Sequence, residues 1–181
     1  DYPPALENDV VVRVHAAGVN IGDHHVITGK PYLIRLSPFG GLPRPRNLVP
    51  GAILAGRVES VGAKVTDFRP GDEVYARPDD GRIGTFAEFI AMNEDDVAIK
   101  PKNLSMEEAA SIPLVGLTAW QVLVERADLK KGQRVLIHAG SGGVGTFAIQ
   151  LAKHIGATVA TTTSTANVDL VKSLGADIVI D

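Results

Sequence analysis

The run Arg134-Val-Leu-Ile-His-Ala-Gly-Ser-Gly-Gly-Val-Gly-Thr146 carries the residue types and spacing most able to do chemistry. Gly140, Gly142 and Gly145 satisfy G-x-G-x-x-G. In that pattern one glycine makes a tight turn, one lets the backbone approach a pyrophosphate, and one lets a helix pack closely on a strand. Gly140, Ser141, Gly142, Gly143, Val144 and Gly145 are therefore the candidate phosphate cradle. The helix that follows would aim its unpaired N–H groups and positive dipole end at the phosphates. Taken alone, the same glycines would also serve a plain turn between strand and helix.

The flanks favour the cradle. Val135, Leu136 and Ile137 form a continuous apolar run, which predicts a strand buried on both faces. Val144, Phe147, Ala148, Leu151, Ala152 and Ile155 fall on one stripe of a helix that Gly156 would stop. A second strand is expected over Ala157 to Thr163, a second helix carries Val168, Leu170, Val171 and Leu174 before Gly175, and Asp177 to Ile180 begins a third strand. The β-α-β-α-β order implies right-handed crossovers and a parallel sheet.

The end of the second strand addresses the choice of dinucleotide. An NAD-preferring site places an acid about 20 residues beyond the glycines to hold the adenosine ribose. Here the stretch reads Thr161-Thr-Thr-Ser-Thr165, without an acid, Arg or Lys. Hydroxyls donate to a 2′-phosphate that a carboxylate would repel, so Thr163, Ser164 and Thr165 point to NADP(H) in preference to NAD(H). The competing reading is a polar loop and helix cap.

Composition excludes several classes of function. The 181 residues carry a net charge of -3 and no cysteine. That removes disulfides, thiolate zinc sites and cysteine nucleophiles, and the acidic balance gives no electrostatic footprint for nucleic acid. No run is apolar and long enough to span a membrane. Asp23, His24 and His25 are metal-ligand types, but consecutive side chains point in different directions and seldom close one site.

Residues up to about Lys100 read as short strands punctuated by Gly and Pro. Val10 to Val14 is one strand, Ala52 to Val61 another, interrupted by Gly56, and Phe86 to Met92 a third. Between the first two, Pro31 to Pro50 reads as an ordered loop or lid. Ser105-Met-Glu-Glu108 is a capping box marking a helix start and the passage to a second domain, and the next helix is expected over Thr118 to Arg126. The fold class is thus α/β plus β, divided into residues 1–103 and 104–181.

With these residues in place, the chain resembles the medium-chain dehydrogenase/reductase superfamily, specifically its zinc-independent quinone oxidoreductase-like branch. The matching landmarks are Gly18-Val-Asn20, Pro50-Gly51, Ala55-Gly-Arg-Val-Glu-Ser-Val-Gly62, Phe68-Arg-Pro-Gly-Asp-Glu-Val74, Gly116-Leu-Thr118 and Gly140-Ser-Gly-Gly-Val-Gly145, in the family's order across nearly the whole chain. The resemblance implies a GroES-like β-rich catalytic domain followed by the first half of a Rossmann domain, with both domains incomplete and the chain an inactive fragment of a longer enzyme. Zinc-dependent relatives place ligands where this chain has Asn20 and Ala52, so a zinc alcohol dehydrogenase is disfavoured and no metal is expected.

The same resemblance implies residue roles. Asn20 would face the substrate and nicotinamide ribose, and Thr118 the nicotinamide side of the cofactor, with a turn cap and a helix N-cap as the respective alternatives. Tyr32 is a candidate proton donor or substrate-orienting phenol, or else a packing residue beside Pro31. Ile53 stands where relatives often carry an acid. The activity implied is NADPH-dependent hydride transfer to a small-molecule quinone or α,β-unsaturated carbonyl; the alternative is a dinucleotide-binding relative with a structural or partner-binding role and no turnover. A homodimer is expected of the parent enzyme. Its location is expected to be cytoplasmic, with an organelle left open by the missing opening strand.

Overall fold

The computed structural model describes residues 3–36, 49–79 and 81–181. They form two compact units, divided between Leu114 and Val115. In the first, strands β1 (Asp9–Ala17), β2 (Leu54–Val61), β3 (Glu73–Ala76), β4 (Phe89–Asn93) and β5 (Val97–Ile99) make one antiparallel sheet in the order β4-β1-β2-β3-β5. Val10 and Val12, Leu54 and Val58, Val74, Ile90 and Met92 alternate along their strands and converge in a single core, as period-two patterning requires. On the other side of β2, Ala55 packs with Ala109 and Ala110 of helix α2 (Met106–Ala110). The Ser105 capping box forms: Glu108 N–H donates to Ser105 Oγ, and Ser105 N–H donates to the Glu108 carboxylate.

Helix α1 (Ile21–Thr28) and a 3₁₀ turn over Tyr32–Leu36 lie between β1 and β2. This turn covers the opening of the expected Pro31-to-Pro50 loop; residues 37–48 of that loop lie outside the described residues. Two strand starts fall later than their apolar patterns suggest. The Gly51 carbonyl accepts from Gly84 and Thr85, and the Pro50 carbonyl from Phe86. These residues are spent on a turn-to-turn contact, and the ladders begin at Leu54 and Phe89.

The second unit holds a parallel sheet of β6 (Arg134–Ile137), β7 (Thr158–Thr162) and β8 (Ile178–Ile180), in the order β6-β7-β8. Helix α4 (Gly143–Ile155) joins β6 to β7, and α5 (Val168–Ser173) joins β7 to β8. Ile137, Val159, Ala148, Ile149, Ala152 and Val171 form its core. At the end of α4, Gly156 adopts a left-handed φ of 92° and its N–H reaches the Ala152 and Lys153 carbonyls, so it is the expected C-terminal stop. Asp177, just before β8, accepts from Val159 N–H at 2.7 Å and from Lys153 Nζ, tying β7 and α4 together.

Three expectations change here. Among the described residues one face of the strand Val135 to Ile137 is covered: Ile137 enters the core while Leu136 is 64% exposed, because alternate side chains leave opposite faces and the helical core lies on one of them. The buried stripe of α4 runs through Gly145, Ala148, Ile149 and Ala152, rotated from the one centred on Val144 and Ile155. Gly145 carries no apolar side chain to signal the face it presents. Finally, the helix expected from Thr118 begins at Pro113, giving α3 (Pro113–Trp120), which runs on into a π-helical stretch over Gln121–Arg126. Pro113 sits at the helix start, where its missing N–H costs no intrahelical bond. Thr118 therefore lies inside the helix and is not its N-cap.

Candidate functional site

The glycine turn is built from the ends of β6 and β7. The Gly140 N–H donates to the Thr162 carbonyl at 2.9 Å, and the Ala139 N–H to Thr162 Oγ1 at 3.0 Å. Beneath it, buried Thr161 donates through Oγ1 to the Ile137 carbonyl at 2.7 Å. The left-handed residue of the turn is Ala139, with φ 57°, and not a glycine. Gly140 and Gly145 are needed for proximity. A Cβ on Gly140 would collide with Thr161 Oγ1, and one on Gly145 would meet Ala139 O and lie 2.7 Å from Gly140 Cα. Gly142 instead caps α4 in extended conformation, without a side-chain cap bond, and its only neighbour in Cβ range is Ala139 O at 3.3 Å. The helix N-terminus thus opens on exposed Gly142 and Gly143, the arrangement a phosphate needs. Val144 lies beside them, partly exposed.

Of the hydroxyls just beyond β7, Thr163 alone bonds to this turn among the described residues. Thr163 Oγ1 donates to Ser141 Oγ at 2.8 Å, joining the glycine turn to the stretch expected to hold the adenosine end. Ser164 Oγ accepts from Asn167 Nδ2. Thr165 Oγ1 donates to the Asp181 carboxylate at 2.6 Å. The acid that is missing between Thr161 and Thr165 in sequence is therefore supplied in space from beyond β8. Thr162 Oγ1 also lies 2.7 Å from His138 Nδ1, which gives the histidine a place at the turn's flank.

In the first unit, Asn20 caps α1. Gly22 N–H donates to Asn20 Oδ1 at 2.9 Å, which fixes the amide with its nitrogen pointing away. Asn20 Nδ2 is buried and has no partner among the described residues. Asp23, only 7% exposed, accepts from Asn20 N–H at 2.9 Å through Oδ2 and from Gly51 N–H at 3.1 Å through Oδ1. Thr85, fully buried next to Gly51, also has an Oγ1 without a partner among the described residues. Buried polar groups without partners cost about 1–3 kcal/mol each and mark places where a ligand or water completes the site. Ile53 is buried, its side chain filling the space beside Gly18.

The other sequence candidates divide. Tyr32 is 69% exposed, with the Arg35 guanidinium stacked 5.2 Å from its ring centre. Thr118 is half-buried within α3. Asp23, His24 and His25 do not converge: the carboxylate is spent on two backbone N–H groups, His25 Nδ1 lies 2.7 Å from the Lys30 carbonyl, and His24 is exposed. Among the described residues no group of three or more His, Asp or Glu side chains could hold a metal ion. Sequence reasoning missed Asp23 as a clamp and Thr85 altogether. Asn20-x-x-Asp23 has the spacing of a capping box and signalled the first; nothing in the sequence signalled the second.

The model of the alcohol dehydrogenase GroES-like domain matches residues 6–102. The chain belongs to the medium-chain dehydrogenase/reductase superfamily. Its relatives include proteins named as an enone reductase and a quinone oxidoreductase. It is 42% identical to a 2-methylene-furan-3-one reductase of Solanum lycopersicum, over 99% of this chain and 46% of that protein. It is 41% identical to a chloroplastic NADPH-dependent alkenal/one oxidoreductase of Arabidopsis thaliana, with the same shares covered. The quinone oxidoreductase structure from Coxiella burnetii superposes with a TM-score of 0.86 at 36% identity, covering all of this chain and 56% of that one. This medium-chain dehydrogenase/reductase chain spans about half the length of the curated relatives it matches.

Proposed function

We propose that the protein carrying this chain is an NADPH-dependent oxidoreductase that transfers hydride to a quinone or an α,β-unsaturated carbonyl without zinc. Two observations, each within its own unit, carry this reading: an uncapped, glycine-lined helix N-terminus in the second, and in the first an Asn20 amide nitrogen that is buried and unpartnered among the described residues. One fits an anionic phosphate, the other a carbonyl or hydroxyl oxygen. The relatives' names supply the reaction class: an enone reductase, an alkenal/one oxidoreductase and a quinone oxidoreductase.

A bound nicotinamide dinucleotide would supply the hydride. This chain's own residues bind and orient. Gly140, Ser141, Gly142, Gly143, Val144 and Gly145 would hold the pyrophosphate through backbone N–H groups and the end of α4. Asn20 Nδ2 would donate to the acceptor oxygen or a ribose hydroxyl, stabilising negative charge as it develops there. Thr118 would contact the nicotinamide side, and the Tyr32 phenol would orient the acceptor or return a proton to its oxygen. The substrate is a small molecule, and the enzyme a homodimer.

NADP(H) over NAD(H) is supported by the Thr163, Ser164 and Thr165 hydroxyls and by the Arabidopsis relative's name. The Asp181 carboxylate opposes it by repelling a 2′-phosphate. The deciding experiment is stopped-flow oxidation of bound NADPH and NADH by but-3-en-2-one and 1,4-naphthoquinone, using the full-length protein. Rapid oxidation of NADPH by either acceptor is expected. Tight NADPH binding with no oxidation by any quinone or enone would favour the non-catalytic alternative, and stoichiometric zinc in the purified enzyme would overturn the zinc-free mechanism.

A further inference from the structure

We infer that Asp23 is the positioning residue of the Asn20 site: its carboxylate locks the turn that aims the Asn20 amide. The inference rests on the oxidoreductase reading above for its catalytic consequence, and on the first unit's geometry for everything else. Asp23 is buried in α1, where an isolated carboxylate would be costly. Its two oxygens are committed to two backbone N–H groups, one on Asn20 in its own turn and one on Gly51, 28 residues from Asp23. The Gly51 carbonyl in turn accepts from Gly84 and Thr85, so one carboxylate laces together three separate chain segments.

The consequence falls on Asn20. Its main chain is held by Asp23, its Oδ1 by Gly22 N–H, and its amide plane therefore has one orientation in which Nδ2 remains unspent. An amide that could rotate would exchange donor for acceptor and lose the differential binding that speeds a reaction. Gly51 is equally constrained: it has a left-handed φ of 100°, and any Cβ there would strike Thr85 Oγ1 and the Phe86 backbone.

The test is D23N in the full-length enzyme. An amide matches the carboxylate in shape but has a single acceptor oxygen, so one of the two N–H groups is left facing another donor. The expected result is a kcat at least about tenfold lower, with KM for NADPH within about threefold, and no further loss when D23N is added to N20A. D23E, which keeps both acceptor oxygens, is expected to recover part of kcat and stands in should D23N fail to fold. Amide hydrogen exchange at Asn20 and Gly51, followed by NMR, is expected to accelerate in D23N. A kcat within about twofold of wild type would overturn the inference, as would losses in D23N and N20A that multiply, or a fall in kcat without faster exchange at those two amides. If the wild-type enzyme binds NADPH yet reduces no acceptor, the oxidoreductase reading fails on its own. The positioning role then stands or falls on whether D23N changes the Asn20 side-chain amide resonances and accelerates those two amides.

Discussion

Substituting alanine at two neighbouring glycines should separate packing from ligand approach. In G145A the new methyl would meet Ala139 O, Gly140 Cα at 2.7 Å and Gly140 C at 2.9 Å, all backbone atoms that no side-chain rotation can move aside. Alanine is worth about 0.5–1 kcal/mol over glycine in a helix, whereas overpacking of this kind costs about 1–3 kcal/mol, so at mid-range the collision wins by about 1 kcal/mol. At about 2–4 °C per kcal/mol the thermal midpoint should fall by several degrees. In G142A the nearest atom is Ala139 O at 3.3 Å and φ −76° suits alanine, but alanine is a poorer N-cap than glycine, so stability should fall by no more than about 1 kcal/mol. Yet the methyl would stand where a pyrophosphate must approach, and NADPH affinity should fall at least about tenfold. Circular-dichroism melting with NADPH fluorescence titration reads both quantities on each variant. A G145A protein as stable as wild type would refute the packing argument. A G142A protein that binds NADPH within about twofold of wild type would refute the cradle.

Thr85→Val replaces a fully buried, unpartnered hydroxyl by an apolar group of the same shape, so it should stabilise the first unit by about 1 kcal/mol in urea denaturation; a destabilised variant would mean the hydroxyl has a partner. Asp181→Asn removes the one carboxylate bonded to Thr165 and should shift the ratio of NADPH to NADH affinity toward NADPH by about two- to fivefold, which a change toward NADH would contradict. The hydrogen bond from Lys153, with the Val159 N–H, holds the Asp177 carboxyl below the usual carboxylate range. A depressed carboxylate stabilises the fold fully above its unfolded-state value, and that contribution is lost as pH falls through the lower folded value. D177N should therefore be less stable than wild type at neutral pH and flatten the acid side of the stability profile, where an unchanged acid limb would argue against the Lys153 pairing.

Much of the second unit was legible because period carries it: apolar β-branched runs gave β6 and β7, and Gly156 ended α4 where a left-handed residue was required. The face of α4 was misjudged: Gly145, where close contact demands the absence of an apolar side chain, and fully buried Ile149 both lie on the buried stripe outside the expected one. In the first unit the landmark glycines placed the turns, but which backbone groups those turns hold depends on contacts between residues far apart in sequence. Asp23 meeting Gly51, Thr85 lying against Gly51, and Asp181 reaching Thr165 leave no local periodicity to read. The acid-free stretch after β7 shows the same limit: a charge absent locally was delivered from a neighbouring strand.

The bond between Thr163 Oγ1 and Ser141 Oγ means that the glycine turn is already closed upon itself before anything binds. A phosphate oxygen recruiting either hydroxyl exchanges one hydrogen bond for another and gains only their difference. If a phosphate binds there, these side chains would contribute little net attraction and would favour an anion whose oxygens match the spacing they already hold over one left to compete with an intact internal bond.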